Sequence, residues 1–152
     1  MRLLAALIAV SLGIGSPGAQ VEQAEVKSKP AECRYMYAGD GKPGFTDWEV
    51  KQTIRCVTKK YGLNTSQALM IASHESGFNE WARNTSSGAC GIFQHIPTYW
   101  SGRIAAAERS WPTQRKFSES CFNARSNIYA AAKLAKSSGG WYYHWCRFAS
   151  YC

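Results

Sequence analysis

A single glutamate ends an apolar run and is followed by a loop of small polar residues. Residues 72–94 read ASHESGFNEWARNTSSGACGIFQ, and Glu75 is one of ten carboxylates in the chain. Ala68, Ile71 and Ala72 lie seven, four and three positions before it, which is the spacing of one helix face. Glu75 therefore shares the face of apolar residues, where the ionised form of a carboxyl group is disfavoured. A carboxylic acid that keeps its proton can donate it to a leaving oxygen, which is general acid catalysis.

The loop after Glu75 supplies groups that suit a polar ligand. The segment NTSSGACG, residues 84–91, contains small residues whose backbone a ligand can approach closely. Gln94 adds one side-chain acceptor and two donor hydrogens beside it. A polar cleft floor next to an acid in an apolar wall suits sugar binding. The alternative is a solvated glutamate at a helix end.

Histidine beside the glutamate raises metal catalysis as a second possibility. The zinc motif HExxH would need a histidine at position 78, but the chain has His74-Glu75 followed by Phe78. His95 and His144 stand alone in the sequence, and no CxxC pair is present. The sequence therefore predicts no metal site and no cofactor.

An apolar leader and an even number of cysteines indicate export. Residues 1–19 combine Arg2, an apolar stretch and small residues near a cleavage position, as in a signal peptide. The apolar stretch is shorter than the roughly 20 residues that span a bilayer. We expect a secreted protein at the cell wall, without stable membrane association and with three disulfides of open pairing. The cysteines are Cys33, Cys56, Cys90, Cys121, Cys146 and Cys152.

The formal net charge of +8 favours contact with anionic polymers or surfaces. The basic residues are dispersed, and no run is longer than a pair such as Lys59-Lys60. Charge alone therefore indicates a class of partner and identifies none.

Helical patterns with capping residues cover most of the chain after residue 45. The predicted helices are 48–61 after Thr46 or Asp47, 66–76 after Asn64 or Thr65, 98–110, and 126–138, with a short helical turn at 91–96. Gly62, Gly77 and Gly139 are expected to end three of them. Residues 20–45 are polar and turn-rich, and we expect them to be flexible. The prediction is a mainly α domain of five or six short helices over residues 46–152.

Three motifs resemble the soluble lytic transglycosylase and goose-type lysozyme superfamily. They are HESGFN, SSGACGIFQHIPTYW and SNIYAAAKL, within a resemblance that covers about residues 47–146. The family reads roughly Glu-Ser-x-Phe-Asn, then Gly-Ala-x-Gly-Leu-Met-Gln, then an alanine-rich helix with Asn-Ile. The resemblance implies a small lysozyme-like helical domain, here stapled by disulfides.

The resemblance also implies roles for the residues that match. Glu75 matches the catalytic glutamate, and Gly91 and Gln94 match residues that line the sugar groove. Phe93 replaces the family's methionine with a side chain of similar bulk and apolar character.

Two family features have no single match in this chain. The serine near the catalytic acid has three competing counterparts, Asn84, Thr85 and Ser86. The late Ala-Tyr-Asn-Ala-Gly motif is absent, and GGWYYHWC occupies its approximate place. Tyr142 or Tyr143 is the hypothesis for the missing hydroxyl.

The implied partner is the glycan strand of peptidoglycan, with no nucleic acid and the protein acting as a monomer. Glu75 would protonate the oxygen between N-acetylmuramic acid and N-acetylglucosamine, and a 1,6-anhydro sugar would form by attack of the muramic 6-hydroxyl. Inverting hydrolysis needs a second carboxylate about 6.5–9.5 Å away. Glu80 is the nearest in sequence and is expected to be a solvated charge, while Glu108 and Glu119 cannot be placed.

The lack of an obvious second carboxylate favours the transglycosylase reaction. Two alternatives remain open from the sequence. One is a goose-type lysozyme hydrolase that uses the same Glu75, and the other is a disulfide-rich module that binds the cell wall without catalysis.

Overall fold

The computed structural model describes residues 33, 44–110, 117–147 and 149–152. The predicted leader, residues 1–19, and most of the N-terminal segment 20–45 lie outside the described residues and stay predictions. Across the described ranges, no helix has the length and apolar character needed to cross a membrane.

Four α-helices and one π-helical turn form the described part of the chain. They are α1 Asp47–Tyr61, α2 Thr65–Ser76, α3 Pro97–Ser110, α4 Ala124–Ser137 and the π-turn Tyr142–Cys146. Extended pairing in these ranges is limited to isolated bridges of Cys90 with Arg83 and with His95. The prediction of a mainly α fold is confirmed.

The predicted capping residues begin the first two helices. The Thr46 side chain accepts a hydrogen bond from the Glu49 amide, and the Glu49 carboxylate accepts one from the Thr46 amide, which is a capping box. Asn64 caps α2 through its side-chain oxygen. α2 ends at Gly77, which adopts the left-handed φ of 60° that glycine accommodates without strain.

The last two helices begin earlier than the apolar pattern indicates. α3 starts at Pro97, whose fixed φ suits the first turn and whose missing amide hydrogen costs nothing there. α4 starts at Ala124, because the Asn123 side chain accepts from the Ser126 amide and caps the helix two residues before the predicted start.

α4 is the central element of the fold. α1, α3 and the π-turn all pack against it, and α2 packs against α1. Half of its buried positions are alanine, including Ala130, Ala131 and Ala135, and such small side chains permit close packing of neighbouring helices. The core around it contains Val50, Ile54, Val57, Ile71, Ile92, Phe93, Ile128, Tyr129 and Trp141.

Three disulfides join all six cysteines. The pairs are Cys33–Cys56, Cys90–Cys121 and Cys146–Cys152. The second pair ties the loop of the second motif to the segment before α4, and the third closes a loop with a sequence separation of 6. The prediction of three disulfides is confirmed, and such bonds typically add about 2–4 kcal/mol each in a small domain.

Candidate active site

Glu75 lies in the last turn of α2, where its side chain is half-buried. The Tyr151 hydroxyl donates a hydrogen bond of 2.7 Å to Glu75 Oε1. The Tyr151 ring stacks on His74, with 4.3 Å between ring centroids and 5° between planes. Burial, the hydrogen bond and the Glu75 charge all raise the pKa of Tyr151, so its hydroxyl stays protonated and remains a donor.

The two oxygens of Glu75 have different surroundings. Oε1 is held by Tyr151, whereas Oε2 has no hydrogen bond to any residue that the structure describes. One oxygen is thus oriented by the protein, and the other is left for a ligand. A carboxyl group arranged in this way can hold or release a proton at Oε2 without losing its position.

Tyr151 was not among the residues selected from the sequence. The sequence hypothesis for the missing hydroxyl was Tyr142 or Tyr143, which are 65% and 58% exposed at the start of the π-turn. Neither hydroxyl bonds to Glu75 in the described residues, where Tyr151 takes that place. Tyr151 precedes Cys152, and the disulfide from Cys152 to Cys146 ties this segment to the π-turn. No local motif marks it, because its position depends on how the cysteines pair.

The end of α2 is fastened to the loop of the second motif by Ser76. Its hydroxyl can donate to the carbonyl oxygen of Ile92 at 2.9 Å and to that of Ala72 at 3.2 Å. The chain then turns through two left-handed residues, Gly77 and Phe78, with φ of 60° and 66°. Glu75 is thereby held next to the segment that carries Gln94.

The loop of residues 84–87 is shaped by Asn84. Its side-chain oxygen accepts from the amides of Ser86 at 2.9 Å and Ser87 at 3.0 Å, which forms a tight turn. Thr85 and Ser86 are exposed. Within the described residues, none of these side chains hydrogen-bonds to Glu75.

Gly91 and Gln94 adopt conformations that fix the second motif. Gly91 has a φ of 74°, and a Cβ there would lie 2.2 Å from Asn127 Nδ2 and 2.3 Å from the Cys121 carbonyl oxygen. Gln94 has a φ of 46°, and its Nε2 donates to the carbonyl oxygens of Gly91 and Ala82 at 2.8 and 3.2 Å. The side-chain oxygen of Gln94 has no hydrogen bond to a described residue and can accept one from a ligand.

Asn127 on α4 holds the second motif in place through its side-chain amide. Its Oδ1 accepts from the Phe93 amide at 2.8 Å, and its Nδ2 donates to the carbonyl oxygens of Cys90 and Cys121. Phe93 is 0% exposed and stacks on Trp141, so it supports the segment from the core and presents no surface to a sugar. The Asn-Ile pair of the third motif includes Asn127, but its role was not assigned from the sequence.

Glu80 differs from the expectation of a solvated charge, and that prediction is wrong. The side chain is 5% exposed. Its Oε1 accepts from the Phe45 amide at 2.7 Å, and its Oε2 accepts from the Ala124 amide at 3.1 Å. Because Ala124 is the first residue of α4, the carboxylate also faces the positive end of the helix dipole. Both oxygens are committed to the backbone.

The other two carboxylates considered from the sequence lie by the segment between α3 and α4. Glu108 Oε1 accepts from the Phe117 amide at 3.0 Å, and Glu119 is exposed. Neither bonds to Glu75 or Tyr151 in the described residues.

The buried histidine, His95, is neutral and structural. Its Nε2 lies 3.1 Å from the Asn127 carbonyl oxygen, and its Nδ1 lies 2.8 Å from Arg103 Nη1. Burial first and the Arg103 charge second lower the pKa of His95 to about 3. With Arg103 as the donor to Nδ1, the ring hydrogen is on Nε2 and points to Asn127. In the ranges described, no three His, Cys, Asp or Glu residues are grouped as metal ligands.

Residues 52–151 match the family described as the transglycosylase SLT domain, a range that includes all three motifs. Comparison with curated proteins and with solved structures found no match. The family match supports a peptidoglycan lytic transglycosylase-like function at the level of the family. The chain belongs to the transglycosylase SLT domain family.

Proposed function

We propose that this protein is an exported lytic transglycosylase with Glu75 as both acid and base. Its substrate would be the β-1,4 bond between N-acetylmuramic acid and N-acetylglucosamine in peptidoglycan. The observation that carries the proposal is the half-buried Glu75 carboxyl, with Oε1 bonded to Tyr151 at 2.7 Å and Oε2 without a hydrogen bond to any described residue. Glu75 also matches the catalytic glutamate of the family motif.

In the first step, protonated Glu75 donates its proton to the bridging oxygen. The bond from this oxygen to C1 of the muramic sugar breaks, and the N-acetylglucosamine leaves with a 4-hydroxyl. Positive charge develops at C1 and the ring oxygen, as in other glycosidases. The Tyr151 hydrogen bond keeps the carboxyl oriented while its charge changes.

In the second step, the 6-hydroxyl of the same muramic sugar attacks C1. Glu75, now ionised, takes the proton from this hydroxyl and returns to its starting form. The product carries a 1,6-anhydro ring, and no water enters the reaction. A single carboxyl group therefore suffices.

Several other residues are proposed as substrate contacts. The open side-chain oxygen of Gln94 can accept a hydrogen bond from a sugar hydroxyl or amide. Thr85 and Ser86 expose hydroxyl groups, and Tyr142 and Tyr143 expose aromatic rings that can stack on sugar faces. Gly91 and Phe93, by contrast, are buried and are proposed to shape the groove without touching the sugar.

Inverting hydrolysis is less well supported than the transglycosylase reaction. It requires a second carboxylate about 6.5–9.5 Å from the acid to activate water. Glu80, the candidate nearest in sequence, uses both oxygens to bind the amides of Phe45 and Ala124. Releasing it would leave two amides without their acceptor.

Export and the monomeric state belong to the same proposal. The three disulfides are compatible with an oxidising compartment such as the cell exterior. We propose that residues 1–19 are removed as a signal peptide and that the mature monomer acts on the cell wall without a cofactor.

Mass spectrometry of the fragments released from purified peptidoglycan tests the proposal. We expect muropeptides with 1,6-anhydro ends, which are lighter by one water than the corresponding reducing ends. Fully reducing ends would instead identify a goose-type lysozyme hydrolase. Protein that sediments with the wall and releases no fragments would identify a binding module, and either result would overturn the proposal.

A further inference from the structure

A second concave region lies between α3, α4 and the π-turn. It is a cavity of about 550 Å³, a volume that fits small ligands or short peptide segments. Its lining does not include Glu75, Gln94 or Tyr151. The proposed cleavage reaction makes no use of it.

The described lining of this cavity carries positive charge without any carboxylate. Arg103 from α3 and Lys133 from α4 both line it, and no Asp or Glu is among its described lining residues. Arg103 Nη1 is bonded to the neutral His95, and the guanidinium carbon lies 5.5 Å from the Tyr99 ring centroid. Both contacts are to groups without negative charge, so the Arg103 charge is not neutralised by them.

Among the described residues, the side-chain contacts of Arg103 with His95 and Tyr99 include no carboxylate, and the side chain is half-buried. Burial lowers the pKa of Arg103, and burial together with the Arg103 charge lowers the pKa of His144, which also lines the cavity. A half-buried cation that has no carboxylate partner among the described residues is costly, and an anionic ligand would offset that cost. The electrostatics of the cavity therefore favour an anion.

The remaining walls of the cavity are mostly apolar. Leu134, Ala106, Ala130 and Gly102 line it, and the hydroxyl of Ser137, which also lines it, donates to the Lys133 carbonyl oxygen. A bare inorganic anion would leave this apolar surface unused. A ligand with a carboxylate and small apolar side chains matches both the cations and the apolar walls.

We propose that this cavity binds the terminal carboxylate of a short peptide with small apolar side chains. Lys133 and Arg103 would bind the carboxylate, and the apolar walls around Leu134 would contact the side chains. Peptides of this chemistry are attached to the glycan strands of peptidoglycan, and this attribution rests on the proposed function. The cavity would then hold the peptide stem of a strand on which Glu75 acts.

Titration of the full mature protein with N-acetyl-D-alanyl-D-alanine, followed by NMR shifts of backbone amides, tests the binding itself. We expect shifts around Lys133, Leu134 and His144, and a Kd that rises at least about tenfold in Lys133→Gln. The matched control is Lys136→Gln, because Lys136 is exposed on the same helix and does not line the cavity. The C-terminal amide of the same peptide should bind at least about tenfold more weakly than the acid.

Three results would overturn the cavity proposal. They are equal binding of the acid and the amide, equal losses in the Lys133 and Lys136 variants, and no binding of the acid. Benzoate serves as a further ligand in the same titration. Tighter binding of this simple carboxylate than of the peptide would refute the peptide assignment.

A second measurement separates this proposal from the cleavage reaction. For wild-type protein we expect a lower KM on strands that carry peptide stems than on strands stripped by an amidase. We expect the ratio of these two KM values to move towards one in Lys133→Gln. A ratio of one in the wild type would contradict the stem assignment. If no strand is cleaved while the peptide still binds at Lys133, the proposed function fails and the carboxylate site stands.

Discussion

Glu75 and Glu80 are five positions apart in the chain and have opposite surroundings. Glu75 closes α2, and the protein holds one of its oxygens through the Tyr151 hydroxyl. Glu80 follows in the loop, and both of its oxygens accept from backbone amides, those of Phe45 and Ala124. Glu75 therefore keeps one oxygen for a ligand, whereas Glu80 uses both oxygens to bind the backbone.

This difference matches the proposed division of roles, in which Glu75 acts in catalysis and Glu80 stabilises the fold. A carboxylate that satisfies the first amide of a helix and a second buried amide cannot also serve as a base without exposing both. A carboxylate held by one phenol keeps its orientation and one open oxygen. The donor groups around each side chain, more than the residue type, indicate its role.

The largest effect on stability is expected for Glu80→Gln. The amide keeps the shape of the side chain, but its NH₂ group faces a backbone amide that then lacks an acceptor. We expect the free energy of unfolding to fall by about 2–4 kcal/mol, because hydrogen bonds to a charged group are lost in a buried site. Denaturant unfolding measures the change.

The matched control for this prediction is Glu119→Gln on an exposed carboxylate, which should change the same free energy by less than about 0.5 kcal/mol. A Glu80→Gln variant as stable as the wild type would contradict the structural role assigned to Glu80.

Tyr151→Phe tests the proposal that the Tyr151 hydroxyl orients Glu75 for catalysis. The ring keeps its stacking on His74 but loses the hydrogen bond to Glu75 Oε1, so the carboxyl is less well oriented. We expect kcat on peptidoglycan to drop about tenfold, which corresponds to ~1.4 kcal/mol of transition-state stabilisation. Tyr143→Phe should change kcat less than about twofold, because that hydroxyl has no bond to Glu75. Equal losses in the two variants would argue against the assignment of Tyr151.

A smaller effect is expected from removing the Cys146–Cys152 bond, which closes the loop that carries Tyr151. The Cys146→Ala/Cys152→Ala variant should lose activity by about three- to tenfold, because Tyr151 is then less well positioned. In a Tyr151→Phe background the same change should add little, since both act through one contact. Activity assays of the wild type and these three variants give this cycle. Fully multiplicative losses would show that the disulfide acts elsewhere.

The regions that were predicted from the sequence depend on neighbours in the chain. Thr46, Asn64 and Gly77 mark the ends of α1 and α2 through contacts within a few residues, and these ends lie where the caps predict. Likewise, the i, i+3, i+4, i+7 pattern placed Glu75 on the face of α2 that contains buried residues. Local rules were sufficient for these features.

The features that were missed depend on distant partners. The bond from Tyr151 to Glu75 spans 76 positions, and those from Glu80 to Phe45 and Ala124 span 35 and 44. Periodicity and capping patterns carry no information on such pairs, and the disulfide pairing that brings Tyr151 back was open. A polar residue next to a cysteine near the chain end is too weak a signal to select on its own.

The most direct test of the account compares Glu75→Gln with Glu80→Gln in one assay, as the rate of fragment release from peptidoglycan per folded molecule. Glu75→Gln should reduce this rate by at least about 10³-fold with little change in stability, because the amide cannot transfer the proton. Glu80→Gln should stay within about threefold of the wild type per folded molecule. Near-normal release by Glu75→Gln, or a loss in Glu80→Gln as large as that expected for Glu75→Gln, would contradict the account.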